Sequence, residues 1–152
     1  MEAATPKGRL FNEVLVEVFR LRARLLESAE SIAALAGLTS ARWQILGALE
    51  HGPAPVAQIA RNLGLTRQTV QEAVDAMGRD GLVDFTDNPH HKRARLVAPT
   101  AKARKALDAL KPREIQFAGM MGGRHSLDEL QTTLDVLRKA RTTLEVSGRG
   151  TP

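Results

Sequence analysis

The stretch from Pro55 to Arg104 constrains this chain more tightly than any other. Val56, Ile59, Ala60 and Leu63 recur at three- and four-residue intervals, the spacing of one helix face. Gly64 follows at once, and a glycine just past a helix accepts the left-handed backbone that strains other residues. After Leu65 a second periodic run opens with Thr66, Arg67 and Gln68 and continues to about Asp80. Its Val70, Ala73, Val74 and Met77 share one face, whereas Gln68, Gln71 and Asp75 point the opposite way and Arg67 sits at the edge. Two short helices joined by a tight glycine-containing turn are the parts of a helix-turn-helix. Residues 82–86 and 95–97 then read as short strands on either side of a basic loop, 87–93. The expected fold is mostly α with a small β component: a winged helix-turn-helix with a two-stranded wing.

The flanks read as helices. From Leu10, the residues Phe11, Val14, Leu15, Val18, Leu21 and Leu25 follow one face, and the pattern stops at Gly37. Thr39 and Ser40 form an N-cap pair for a helix with Ile45, Leu46 and Leu49 inside, ended by His51, Gly52 and Pro53. Beyond Thr100 an Ala/Leu/Lys-rich helix carries Ala103, Ala106, Leu107 and Leu110, and Pro112 is expected to kink or interrupt it. Gly122 and Gly123 break the pattern. A capping box at Ser126 and Glu129 starts the last helix, where Leu127, Leu130, Leu134, Leu137 and Leu144 make a coiled-coil-like seam. Residues before about Gly8 and from about Ser147 read as polar tails. At 152 residues one domain is expected, with 38–100 as the DNA-binding lobe and helices at 9–36 and 101–146 forming a dimerisation region.

Charge supports a polyanionic partner. Net charge is +5 and the isoelectric point about 10.2, but distribution says more. Between Asp87 and Asp108 no acidic residue occurs, while Lys92, Arg93, Arg95, Lys102, Arg104 and Lys105 all fall there. Thr66 can cap the second helix, whose positive dipole end suits a phosphate or base edge. Arg67 can pair with guanine, and Gln68 or Gln71 with adenine; Thr69 lies in the same first turn. Arg93 is the expected wing tip, contacting phosphate or entering a narrow minor groove, with Lys92 and Arg95 as phosphate-binding flanks.

Other chemistry finds little equipment. Zero cysteines exclude disulfides and thiolate zinc sites, and His90 and His91 are adjacent rather than spaced as a helical metal pair. No nucleophile elbow or phosphate-cradling glycine motif occurs, so neither an enzyme nor a cofactor is expected. No apolar run is long enough to span a membrane, and the N-terminus lacks a signal-peptide centre, so a soluble cytoplasmic protein is expected. Trp43, the only tryptophan, is either a core aromatic or the wall of a small-ligand pocket, with Arg42 as a cationic neighbour for an anion.

The order of these parts resembles the multiple-antibiotic-resistance-regulator (MarR) family over about residues 10–145. The match runs through Val56–Ala57–Gln58–Ile59–Ala60, then Leu63–Gly64–Leu65–Thr66–Arg67–Gln68–Thr69–Val70, then Gly81–Leu82–Val83. It continues in the wing, Asn88 to Val97, and at Thr100. The resemblance implies a winged-helix dimer, usually a repressor, with the first and last helices at the dimer interface. It also implies a small aromatic or anionic effector between the dimer helices and the DNA-binding lobe. Three departures stand out. The wing has His91–Lys92–Arg93 where the family has Asp two residues before its Arg, so Arg93 loses a carboxylate partner. Pro99–Thr100 and Ala103 replace the usual Leu-Thr and following Gly. The absence of cysteine excludes the family's peroxide-sensing branch.

The expectation is therefore a homodimeric, sequence-specific regulator of transcription, a repressor released by a small effector, on a pseudo-palindromic operator. Two other uses stay open: a protein-interaction adaptor, and a nonspecific architectural nucleic-acid binder.

Overall fold

Helix α1, Pro6–Ala33, is capped by Thr5, whose hydroxyl accepts the Gly8 N–H, and has a proline in its first turn. The helix thus starts before Leu10, because Thr-Pro supplies both a cap and a preset φ where the apolar pattern has not yet begun. The computed structural model describes residues 5–148, and the outer ends of the two expected polar tails lie outside them. A 3-10 turn at 34–36 and a left-handed Gly37 close α1. Helix α2, Ser40–Gly47, is capped by Thr39 and ends before His51. Helix α3, Val56–Leu63, ends on left-handed Gly64, and α4, Arg67–Arg79, begins after the Thr66 cap.

The sheet differs from the two-stranded expectation. β2 (Val83–Thr86) and β3 (Leu96–Pro99) pair antiparallel as anticipated, with Phe85 opposite Val97. A third strand, β1 (Ala54–Pro55), pairs with the other side of β3, giving the order β1-β3-β2. Two residues, one a proline, give no alternating signal, and proline is tolerated on an edge strand. The short strand ties the start of α3 to the base of the wing.

Ile45, Leu46, Ile59, Val70, Val74, Met77, Val97 and Leu110 are the largest fully buried side chains. They come from α2, α3, α4, β3 and the first half of α5 (Ala101–Gly122), so one core fixes the helix-turn-helix against the sheet. Lys102 and Thr100 tie the junction after α4: the Lys102 ammonium donates to the Asp80 carbonyl at 2.8 Å and the Thr100 hydroxyl to the Gly81 carbonyl at 2.7 Å.

Helix α5, Ala101–Gly122, runs through Pro112. The expected interruption does not occur. Pro112 removes one hydrogen bond to the Asp108 carbonyl, but both residues are exposed, so water can satisfy the freed acceptor. Residues up to Lys111 form one compact unit and those from Pro112 another. In the second unit α6, Leu127–Ser147, starts on the expected capping box: Ser126 accepts the Glu129 N–H and Glu129 accepts the Ser126 N–H.

Candidate nucleic-acid interface

The first turn of α4 is built by its threonines. Thr66 Oγ1 accepts the Thr69 N–H at 3.1 Å, and the two hydroxyls lie 2.8 Å apart. This cap satisfies one of the free donors at the helix start and occupies the Thr69 hydroxyl, and Arg67 and Gln68 beside it are exposed. Arg67 makes no hydrogen bond or ion pair among the described residues. Gln68 donates to Glu72 at 3.1 Å and Gln71 to Asp75 at 2.8 Å. A glutamine reading adenine uses its N–H on N7 and its oxygen on N6–H. To read a base, each amide would have to exchange a carboxylate one turn on for it, a cost that Arg67 would not meet.

The wing is shaped by Asn88, the only buried polar residue among those described. Its side-chain oxygen accepts the His90 N–H at 3.0 Å, and its carbonyl accepts the His91 N–H at 3.2 Å. The His91 carbonyl in turn accepts the Ala94 N–H at 3.1 Å. Successive turns thus hold the loop by its backbone. The His91 side chain does not support Arg93; Arg93 and Lys92 are exposed and unpaired among the described residues. Arg95 behaves differently. It donates to the Phe85 carbonyl at 3.2 Å, and its guanidinium lies 5.4 Å from the Phe85 ring centre.

Between α4 and the wing runs a groove of about 540 Å³. Arg67, Gln68, Gln71, Arg93 and Arg95 line it, with Val56 and Phe85 as apolar floor and Asp75 as the only acid. The fold thus brings together the expected base-reading and wing residues, except Lys92, Thr66 and Thr69, which do not line the groove. Donors and positive charge converging on one open groove are what a phosphodiester backbone requires. Of the other cations in the acid-free stretch, Arg104 donates to the Pro99 carbonyl at 2.9 Å, and both it and Lys102 serve the fold.

A second groove, about 600 Å³, lies at the far end of α4. Arg42, Lys102, Lys105 and Asp80 supply its polar wall, and Leu38, Leu82 and Ala106 its apolar one. Arg42 pairs with Asp80 at 2.6 Å. Trp43 is half-buried against the core and does not line this groove. Arg42 and Trp43, neighbours in sequence, thus face different surroundings. Sequence reasoning missed Asp80, Lys102 and Lys105 here, because nothing local in the sequence brings the end of α4 to the start of α5.

Glu30 was also missed. Hydrogen bonds from the Ser40 hydroxyl and from its N–H, the latter at 2.8 Å, hold the Glu30 carboxyl below its ordinary value. It caps α2 from ten residues upstream, beyond the reach of a local capping pattern.

A model of the MarR family matches residues 36–94. An uncharacterized protein of Mycobacterium tuberculosis is 35% identical over 126 residues, which are 83% of this chain and 88% of that protein. The chain belongs to the MarR family. The transcriptional activatory protein BadR of Rhodopseudomonas palustris is 28% identical over 142 residues, 90% of this chain and 81% of BadR. Among solved structures, CouR from Rhodococcus jostii bound to p-coumaroyl-CoA superposes with a TM-score of 0.76 at 20% identity, covering 86% of this chain and 93% of CouR. Reduced AbfR bound to DNA does so at 0.66 and 18% identity, covering 91% and 96%. These likenesses show the winged-helix fold of MarR proteins over 86% and 91% of the chain, which takes in helices outside residues 36–94.

Proposed function

We propose that this MarR-family chain is a homodimeric, sequence-specific DNA-binding regulator of transcription, acting in the cytoplasm as a repressor that a small anion releases. The observation that carries the reading is the groove shared by α4 and the wing, with Arg67 and Arg93 on its walls and neither spoken for by another described residue. Arg67 and, after rearrangement, Gln68 and Gln71 read base edges; Lys92 and Arg93 hold the backbone. Residues 38–100 make this lobe, and α1, α5 and α6 supply the dimer contacts. The exposed apolar side chains of α1 and of α6 support that division. Catalysis has no part in this role.

The effector site is the second groove. Arg42, Lys102 and Lys105 suit a carboxylate or phosphate, and the apolar wall suits a small hydrophobic body. CouR, whose bound ligand is an acyl-CoA, supports an amphipathic anion as the chemical class. Because Asp80 closes α4, an anion competing for Arg42 and Lys102 acts on the recognition helix. A tenfold to hundredfold preference for the released form is a coupling of about 1.4–2.7 kcal/mol, in the usual allosteric range.

The deciding experiment is selection of duplexes from a random library by the whole protein, with and without aromatic carboxylates. A two-fold symmetric motif that Arg67→Ala blurs, and that ligand abolishes, is the expected result. Recovery of unrelated sequences instead marks a nonspecific architectural binder, and recovery of none marks a protein-interaction adaptor. BadR's activatory role makes activation the second reading, which a promoter–reporter assay with the selected site separates from repression.

A further inference from the structure

Phe85 stands directly opposite Val97 in the β2–β3 ladder. Arg95 stands just before β3, two residues ahead of fully buried Val97, and is itself exposed. The guanidinium stacks 5.4 Å from the Phe85 ring centre and donates to the Phe85 carbonyl at 3.2 Å. The ring also meets α4 at Gly78, where an added Cβ would sit 3.0 Å from Phe85 Cε2. Helix, ring and guanidinium form one stack from the recognition helix to the base of the wing.

From this stack we infer that Arg95 is a positioning residue, which sets the wing against α4 through Phe85, and not one of the phosphate contacts. Its two basic neighbours, Lys92 and Arg93, are exposed as Arg95 is, but make no such contacts among the described residues. The groove between α4 and the wing has Arg93 and Arg67 on its walls, so the stack governs the separation of those two side chains. The inference rests on the DNA-binding reading for its purpose, but its geometry exists in the free protein.

Two measurements test it. In the free protein, amide exchange at His91 and Ala94, whose N–H groups hold the wing turns, should rise about two- to fivefold in Arg95→Ala, the factor expected of an exposed cation–π contact. Phe85→Leu should do the same, the double variant should go no further than the larger single effect, and Lys92→Ala should change nothing. Parental exchange in Arg95→Ala overturns the inference. On operator DNA, Phe85→Leu removes no charge, yet it should lower affinity and flatten the salt dependence as much as Arg95→Ala does. If Arg95→Ala instead loses about 0.9 of log–log slope while Phe85→Leu keeps the parental slope, Arg95 is a phosphate contact after all. A chain that binds no duplex sinks the DNA-binding reading, while the exchange data still decide what Arg95 does.

Discussion

In the proposed role, Arg67 and the two glutamines differ although all three are exposed. Arg67 would enter a DNA groove without breaking an existing bond, whereas Gln68 and Gln71 would each give up a carboxylate partner. Arg67→Ala should therefore cost about 1–3 kcal/mol on the selected operator and relax one position per half-site. Gln68→Ala should cost less than that, because the bond it forfeits to DNA replaces one it already had. Competition titrations with single-base operator variants check both, and equal losses would mean that the glutamine amides are preorganised for bases by DNA itself. Gly78 offers a residue-level prediction about stability. Alanine there should gain about 1 kcal/mol of helix propensity, but its Cβ presses on Phe85 at 3.0 Å. The gain should be reduced or reversed in the parent and recovered in a Phe85→Leu background, read as a double-mutant cycle in urea unfolding. At this scale the sequence revealed residue types better than residue partners. Arg67 and Arg93 follow from position on a helix start and a loop tip. The contacts of Arg95 with Phe85, and of Arg42 with Asp80, depend on which strands and helix ends meet, 10 and 38 residues apart in the chain.

The helices and turns of the lobe were largely legible because each is specified locally. Gly64 sits at φ 65 where a left-handed cap is needed, Thr66 caps α4, and the apolar period of α3 and α4 coincides with the side chains that are buried. What escaped were elements defined by a partner: β1 exists only because β3 pairs with it, and α5 continues through Pro112 because its freed carbonyl faces solvent. Glu30 belongs to the same class, a cap delivered by tertiary contact rather than by spacing. It allows a test of how α1 and α2 are joined. The folded carboxyl titrates below its ordinary value of 4.5 through its bonds from Ser40, so the cap's contribution is fully present above the unfolded pKa. It is lost as pH falls through the lowered folded pKa. Glu129, held below 4.5 by the Ser126 N–H first and the Ser126 hydroxyl next, follows the same sign in α6. Melting temperature should thus fall on acidification below about pH 4.5, and fall less in Glu30→Gln or Glu129→Gln. Parallel curves for parent and variants would show that neither cap contributes measurably.

At the scale of the whole molecule the question is what covers its apolar surface. In α1, Leu10, Phe11, Leu15 and Phe19 are exposed, Phe19 by 72%, and in α6 the seam leucines 130, 134 and 137 are exposed by 41%, 42% and 40%. Large exposed apolar patches mark interaction surfaces, so these side chains favour a partner for each helix. The proposed homodimer supplies one, and it gives the lobe a second recognition helix. Two α4 helices bound on one duplex face must lie near one helical turn apart, about 34–36 Å. Linking the half-sites in this way raises affinity over a single lobe by about 10²–10⁴-fold without adding any contact to the bases. Replacing Leu134 and Leu137 together by lysine would place two charges in the seam, which is strongly unfavourable in a buried interface and harmless on a solvated face. The double variant should sediment as a monomer, retain its helical circular dichroism, and lose operator binding by that factor while keeping weak affinity for an isolated half-site. Arg67→Ala gives the opposite pattern, a dimer with blurred specificity. A Leu134→Lys/Leu137→Lys protein that stays dimeric and binds the operator normally would place the dimer contacts elsewhere, with the exposed face of α1 as the surface to mutate next.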